Sequence, residues 1–536
     1  MPKRIIRSLQ ATVMGGAIII GSASIVSRIL GLIRDRLLST EFGAGELLDS
    51  YFTAFKIPDF LFNMLVLGVL SASFVPVFIE YLNKKGKQNA NELANQLLNL
   101  LAVSLVVVAV VCYFFAPQIV SLLAYGDTAA QQVQTVLFTR LMLGSLFFFG
   151  ISNVLSGILH AHKRFFVYAL APIMYNVGII FGIVVLVPLI GTIGLPLGVV
   201  LGSFLHLVIQ LPAVFATGFR FQPTLSWRHA GVRQVLKLMP PRAFALGLTQ
   251  LNIVIIFAIA STLDEGTRAV WQFADNLQHF PINIFGVSLA LAAFPVFSEA
   301  FAENNIVMFK KVFSENFRRI LFFIIPVSIG VLLLRAQIVR LVYGAGAFDW
   351  EDTIATADTL GMFALSLFAQ ALIPLLARSF FAKQDTKTPV IISAVSMILN
   401  IVLAFTLVGP MGITGLALAF SLSAIIQMLL LIATLRVRHG DLDDDHIVTS
   451  TWKIIVCAVG MGIIVQGLKY VIAPMVDMHT FFGIFTQTMA AILGGGVTYI
   501  MIATRFHFDE ALAIRSKLLS MWKQVKKMWG AASGLS

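Results

Sequence analysis

Long apolar stretches, each of about twenty residues or more, follow one another along nearly the whole chain, with short polar connections between them. That is the length an α-helix needs to cross the hydrocarbon of a bilayer, about 30 Å at 1.5 Å per residue. Fourteen such segments are predicted, near residues 12–37, 49–82, 95–122, 133–160, 168–189, 193–216, 236–263, 268–301, 316–342, 353–382, 388–409, 412–435, 452–473 and 481–503. The fold class expected is all-α: a polytopic membrane protein with about 14 transmembrane helices.

The polar connections fall into two alternating sets. One carries Lys3/Arg4/Arg7, Lys84/Lys85/Lys87, Lys163/Arg164, Arg220/Arg228/Arg233/Lys237, Lys310/Lys311/Arg318/Arg319, Lys383/Lys387 and Arg436/Arg438. The other is short and nearly free of Lys and Arg: Tyr125 to Asp127, Asp264 to Arg268, and Gly344 to Asp352. Cytoplasmic connections hold the excess of Lys and Arg, so the basic set and both termini are placed inside, in the inner (cytoplasmic) membrane. Trp271 and Trp452 fall at segment ends, where an aromatic belt is expected.

Composition agrees. Hydrophobic residues make up 58% of the 536 and charged ones only 12%, against about 25% charged in soluble domains. A net charge of +12 would point a soluble protein toward nucleic acid; here loop topology accounts for it and no nucleic acid is expected. Cys112 and Cys457 both lie in apolar runs, which argues against a disulfide scaffold or a thiolate metal site. The N-terminus has the outline of a signal peptide, ending at Ser22-Ala23-Ser24, but cleavage there would cut the apolar run from the polar stripe that continues its helix, so it is expected to be retained.

Several segments are interrupted, the second by Pro58, Gly68 and Pro76, the seventh by Pro240-Pro241 next to Arg242. Proline removes a backbone donor and kinks a helix; transporters use such breaks for central sites and gates, although a packing kink is the plainer reading of each alone. A repeat is also visible. Val75-Pro76-Val77-Phe78 returns as Phe294-Pro295-Val296-Phe297, an offset of 219, and Tyr125-Gly126 returns as Tyr343-Gly344, an offset of 218. Six segments separate the copies, so two pseudo-symmetric six-helix bundles in one orientation are expected, with a central site between them. The expected division is 1–225 for the first bundle, 226–440 for the second, 441–505 for two additional transmembrane helices, and 506–536 for an amphipathic basic cytoplasmic tail that carries Leu512, Leu518, Trp522, Val525 and Trp529 at helical spacing.

The candidate chemistry sits in the first segment. Arg28 and Asp35 are two helical turns apart and share a face with Ser24, and Arg34 lies about a third of a turn away. Charges at bilayer depth cost about 2.5–3.5 kcal/mol each on insertion scales, so they generally line a cavity and carry function. Arginine's planar fork suits phosphate oxygens. The alternative is that Arg34 to Arg36 mark the helix end and Arg28 snorkels to a headgroup. At offset 219, Lys56 corresponds to Asp275, which lies in the polar patch Trp271 to His279 with Asn276; opposite charges facing each other across a cavity are expected there. No Walker motif, paired-carboxylate loop or large extramembrane domain is present, so an enzyme would have to place its catalytic groups within the bilayer.

Ser27-Arg28-Ile29-Leu30-Gly31-Leu32-Ile33-Arg34-Asp35, Phe42-Gly43-Ala44-Gly45, Asp49, Ala54-Phe55-Lys56-Ile57-Pro58, Ala72 to Phe78, and Arg378 to Pro389 resemble the MurJ (MviN) family of lipid II flippases, over nearly the whole chain. The resemblance implies the fold of the multidrug/oligosaccharidyl-lipid/polysaccharide exporter superfamily and movement of undecaprenyl-pyrophosphate-linked peptidoglycan precursor to the outer leaflet for cell wall synthesis. It implies a substrate-binding set of Arg28, Arg34, Asp35, Asp49, Lys56, Asp275, Asn276 and Arg378, and a lipid-tail groove at the last two helices. The chain departs from the family where two arginines and Glu-Gly usually stand, with Phe62, Asn63, Leu67 and Gly68, and where Ala-Asp-Arg usually stands, with Ala274-Asp275-Asn276. No cofactor is expected beyond a coupling ion, Na+ or H+, or the membrane potential; the partners are the lipid-linked pyrophosphate oligosaccharide and membrane lipids, and the protein is expected to work as a monomer. The alternatives are a cation-coupled exporter of small molecules, a carrier of another polyprenyl-linked oligosaccharide, a membrane-embedded glycosyltransferase, and an assembly scaffold.

Overall fold

Apolar runs of this length leave the backbone no hydrogen-bonding partner but itself, which favours helices. The computed structural model describes residues 13–67, 74–517 and 520, without the side chains of 13–18, 241, 242 and 245, and among these residues every regular element is helical. Lys3, Arg4, Arg7, Gly68, the side chain of Arg242 and most of the predicted amphipathic tail lie outside the described residues.

The long helices are α1 (Val13–Phe42), α2 (Glu46–Leu61), α3 (Val75–Lys84), α4 (Gly86–Leu123), α5 (Ala129–Ala161), α6 (Phe165–Phe181), α7 (Gly194–Val208), α8 (Ala230–Ala260), α9 (Thr267–Pro281), α10 (Ser288–Ala302), α11 (Ile306–Val342), α12 (Trp350–Ala364), α13 (Leu367–Ala382), α14 (Lys387–His439), α15 (Asp444–Ile472) and α16 (Phe481–Arg505). Among the described residues eight helical runs are long and apolar enough to cross a membrane, or nine with α12 and α13, bent by 47°, taken as one span. Two of the eight, Phe165–Phe215 and Lys387–His439, each cover two of the predicted segments. The α1 helix, which carries Arg28, Arg34, Asp35 and Arg36, is not among them.

The chain forms two compact units. The first comprises residues 1–270 with Tyr343–Asp352, the second Trp271–Val342 with 353–536. These units and the repeat divide the chain differently: α8 belongs to the second repeat by sequence order but packs in the first unit, against α2, α4 and the segment Phe62–Leu67. In the first unit α1 lies on α6, α2 on α5, and α5 on both α4 and α7, around a core that includes Phe74, Phe78, Leu97, Leu155 and Ile158. In the second, α11 packs on α15, α10 on α13, and α15 on α16, around Phe297, Phe309, Phe313, Leu372 and Cys457.

The breaks recur at the repeat spacing. The helix after α2 widens to π geometry over Phe62–Leu67, and the one after α9 does so over Ile282–Val287. Such π segments arise where an extra residue enters a helix and often mark functional sites. The chain reverses at Gly191 (φ 71°) in the first repeat and at Gly412 (φ 57°) in the second, a backbone region that glycine enters without steric cost. Close approach makes the α6–α7 hairpin: a Cβ at Gly178 would lie 2.2 Å from Gly202 Cα, and one at Gly182 2.5 Å from Gly198 Cα. Small residues four apart let two membrane helices meet backbone to backbone. The connection after α7 is stapled to α4 by asparagines one turn apart: Asn91 donates to Gly218 O, Asn95 to Arg220 O, and Asn99 to Gln222 O and Thr224 O. Trp271 is not a belt residue. It is 5% exposed, its ring edge-on to Phe363 of α12 at 4.9 Å and to Phe420 of α14 at 6.2 Å. Trp452, at 67% exposed, remains on the surface.

Candidate functional site

A continuous α1 from Val13 to Phe42 places Arg28, Arg34 and Asp35 on one rod. Arg34, however, pairs with its neighbour Asp35: Nε and Nη2 lie 2.8 and 2.7 Å from Oδ1. The third arm, Nη1, donates to Asn176 Oδ1 on α6 at 3.3 Å. Asn176 Nδ2 in turn donates to Ser27 O, to Ser27 Oγ and to Pro172 O, a carbonyl of the proline-kinked α6. Asp35 is 3% exposed. Arg28 is exposed, and no carboxylate pairs with it among the described residues. The two arginines thus differ: Arg34 is held by Asp35 and Asn176, whereas Arg28 has no carboxylate partner among the described residues.

Arg28 opens onto a cavity of about 380 Å³ between α1, α5, α6 and α7, which also reaches Ser24, Asn153, Ser156 and His206. Behind it lies a buried polar network: His206 Nδ1 is 2.6 Å from Ser152 Oγ, Gln210 Nε2 donates to Ser152 Oγ at 2.6 Å, and Ser156 donates to Gln210 Oε1 at 2.9 Å.

Asp49 does different work. At 2% exposed it accepts from Gly266 N and Ala269 N, both at 2.8 Å, and so caps the N-terminus of α9. Its Oδ2 is 3.7 Å from Arg268 Nε. Arg268, equally buried, sends Nη2 to both Asp127 oxygens at 2.7 and 2.8 Å. The Asp127 carboxyl is pushed up by burial and pulled back by Arg268, with the upward push larger. The surrounding turns interlock: Ala44 N donates to Asp352 Oδ2, Ala347 N to Thr40 O, and Ser39 Oγ to Tyr343 O. A Cβ at Gly266 would lie 1.8 Å from Ala44 O, so glycine is required there (φ 82°).

Lys56, also in the first unit, is 8% exposed with Nζ 3.8 Å from the centre of the Phe257 ring, a cation–π contact. In the second unit Asp275 accepts from Gln278 Nε2 at 2.8 Å, with His279 Nε2 3.4 Å away, and the chain of bonds continues from Gln278 to Gln370, Ser366 and Ser421. Asn276 accepts from Gln272, and Arg378 donates to Pro374 O on its own helix. The second unit also holds an apolar cavity of about 600 Å³ whose lining includes Phe317, Leu321, Phe368, Met428 and Trp452, so α15 reaches it.

Sequence reasoning placed Arg34 and Asp35 together but missed Asn176, His206, Arg268 and Asp127. Asn176 lies 142 residues from its partner, and Arg268 reads as an ordinary loop charge. The available signal was that Arg268 stands in a connection otherwise acidic, Asp264-Glu265-Gly266-Thr267.

An arginine-bearing membrane helix beside a cavity free of acidic groups suits an anionic lipid headgroup. The comparisons with known proteins agree. Residues 38–487 match the family described as Lipid II flippase MurJ. The chain is similar to the lipid II flippase MurJ of Burkholderia cenocepacia, with 30% identity over 423 residues, 77% of this chain and 82% of that protein. A solved lipid II flippase MurJ in an inward closed conformation is 25% identical and has a TM-score of 0.76, covering 91% of this chain and 99% of that one. An inward-facing MATE family multidrug transporter of the MOP superfamily, 14% identical, shares the fold at a TM-score of 0.68 over 80% of this chain. With the family match running from residue 38 to residue 487, the chain belongs to the MurJ family of lipid II flippases.

Proposed function

We infer that this chain flips lipid II, the lipid-linked peptidoglycan precursor, from the inner to the outer leaflet of the cytoplasmic membrane, and that it is a transporter and not an enzyme. The observation that carries the reading is Arg28, a charged arginine on a membrane helix facing a polar cavity with no acid in it, within a chain of this family. A guanidinium held at bilayer depth attracts a diphosphate and offers it paired donors. Arg34, fixed by Asp35 and Asn176, keeps the helix oriented and adds positive potential.

The orientation proposed places the basic connections and both termini in the cytoplasm. The turns around Asp49, Asp127, Arg268 and Asp352 then lie on the outer side, and their interlocking closes that side of the first unit; transport by alternating access would require it to open. The apolar cavity of about 600 Å³ supports a place for the polyprenyl tail beside α15. Asp275, Asn276, Lys56 and Arg378 are proposed as further headgroup contacts, a coupling ion (Na+ or H+) or the membrane potential as the drive, and a monomer as the working unit.

The test is depletion in cells, with lipid II assayed by leaflet. Accumulation in the inner leaflet is the expected result. Normal leaflet distribution together with new sensitivity to small toxic compounds would instead establish the small-molecule exporter.

A further inference from the structure

The cavity at Arg28 has a second wall. His206 on α7 lines it opposite α1, with Asn153 and Ser156 of α5 at its side. The ring is held from behind. Gln210 Nε2 donates to Ser152 Oγ at 2.6 Å and stands 3.4 Å from His206 Nδ1, while Gln210 Oε1 accepts from Ser156. Ser152 Oγ, which accepts from Gln210 Nε2, has one proton to give, and His206 Nδ1 at 2.6 Å is a nearer acceptor for it than His206 O at 3.2 Å, so we assign Nδ1 as the acceptor. The neutral ring then carries its proton on Nε2. Nε2 has no protein partner among the described residues and is the nitrogen left for the cavity. Asn153 spends its amide on Phe149 O, at 2.9 Å, which anchors it without filling the space. The polar lining groups are one guanidinium, one ring N–H, serine hydroxyls, the Asn153 amide and the Tyr168 phenol, with no Asp or Glu among them. The volume, about 380 Å³, lies within the range of small-ligand pockets.

We propose that this cavity is a headgroup subsite inside the first unit, where His206 Nε2–H and Arg28 together hold one phosphate of a polyprenyl-linked diphosphate, and that His206 is a specificity-determining residue for the diphosphate. The proposal rests on the lipid-flipping reading above. The Ser152–Gln210 pair is a positioning device: it sets the tautomer and aims the ring.

The experiment uses the full-length purified chain in nanodiscs, with farnesyl diphosphate as the probe, inorganic pyrophosphate and farnesol as comparison ligands, and titration calorimetry as the readout. His206→Phe keeps the ring and removes the donor; a hydrogen bond to a charged group is worth enough that affinity for farnesyl diphosphate should fall about tenfold or more. His206→Gln restores an N–H at about the same reach and should stay within about threefold of the unaltered protein. Ala23→Phe fills the cavity from α1 while leaving every donor in place, and should also cost about tenfold; it keeps the test sharp if His206→Phe folds poorly. Farnesol should not compete.

Unchanged affinity in both His206→Phe and Ala23→Phe would overturn the subsite. So would equal losses in His206→Gln and His206→Phe, which would make the ring structural. Pyrophosphate binding as tightly as farnesyl diphosphate, with the same sensitivity to Ala23→Phe, would assign the cavity to a free anion and defeat the headgroup assignment. If the unaltered protein neither binds the probe nor flips lipid II, the functional reading itself fails; if it flips lipid II and Ala23→Phe does so equally well, only the subsite fails.

Discussion

Asp49→Asn should loosen the cluster of turns that Asp49 ties together. The carboxylate accepts from the backbone N–H groups of Gly266 and Ala269 at the start of α9 and faces Arg268, both side chains at 2–3% exposure. Asparagine keeps one acceptor and turns an N–H₂ toward the other backbone N–H, so one charge-assisted bond, worth about 1.5–3 kcal/mol, is lost outright. Removing one partner of a buried ion pair costs about 3–5 kcal/mol, but Arg268 retains both oxygens of Asp127, so the lower end applies. The two figures overlap, because the cost of breaking the pair already contains the lost bond, and about 3 kcal/mol is about a hundredfold in the equilibrium between closed and opened turns. Ser50 is a suitable reporter: it is fully buried and its hydroxyl has no hydrogen-bond partner among the described residues, so Ser50→Cys breaks no bond seen there. In a background with Cys112 and Cys457 replaced, the purified protein in nanodiscs should react with a polar maleimide ten to a hundred times faster when Asp49→Asn is added. Glu46→Gln, which removes a charge one turn away without breaking these bonds, should leave the rate unchanged. Equal rates for Asp49→Asn and its parent, with both proteins folded, would refute the reasoning.

Arg34→Lys keeps charge but cannot hold Asp35 with two nitrogens while reaching Asn176; flipping should be lost at near-normal protein level, and full complementation would remove any specific role for the guanidinium. Gly178→Ala would put a methyl 2.2 Å from Gly202 Cα, so the thermal midpoint should fall by an amount equivalent to about 1–3 kcal/mol, and an unchanged midpoint would mean that the α6–α7 seam is not close-packed. Burial acts to raise the Asp385 carboxyl, but bonds from Thr388 and Arg438 outweigh it and bring it from 3.8 to about 2. The stabilisation is therefore full above pH 4 and lost as pH falls toward 2, so the difference in melting temperature between the unaltered protein and Asp385→Asn should vanish over that window. The exchange of Lys56→Asp with Asp275→Lys should impair transport in each single variant, and whether the double variant recovers tests the register of the repeat.

Much of the fold was legible because the bilayer enforces it. Apolar length, basic connections and interrupted segments are one-dimensional properties, and each has a direct physical reading. Trp271 shows where that reading stops: position at a segment end suggested an interface, but only its packing against Phe363 and Phe420 in three dimensions decides that the ring is buried. The site was partly legible for the same reason. A charge in an apolar helix announces itself, which brought out Arg28, Arg34 and Asp35. What it pairs with depends on which helices become neighbours, and Asn176, His206 and Arg268 are ordinary residues until α1, α6, α7 and α9 are in place. The glycines at 178, 182, 194, 198 and 202 are the exception: their four-residue spacing was present in the sequence and does encode the close α6–α7 hairpin.

The repeat bears on Lys56 and Asp275 through a single residue of register. The sequence match around Pro76 and Pro295 gives an offset of 219, which equates Lys56 with Asp275. The π segments lie closer to these residues along the helix and begin at Phe62 and Ile282, 220 apart. The reversal glycines, Gly191 and Gly412, are 221 apart. An offset of 220 equates Lys56 with Asn276 and turns Asp275 about 100° away from the equivalent position. The local bonds point the same way. Asp275 is occupied by Gln278 and His279, and Lys56 lies on the Phe257 ring. Two charges satisfied within their own units gain little from facing each other, so the double exchange should be no better than the worse single variant. Recovery of transport in the double variant would restore the 219 register and make the pair a true charge contact, with a coupling energy that a double-mutant cycle would measure.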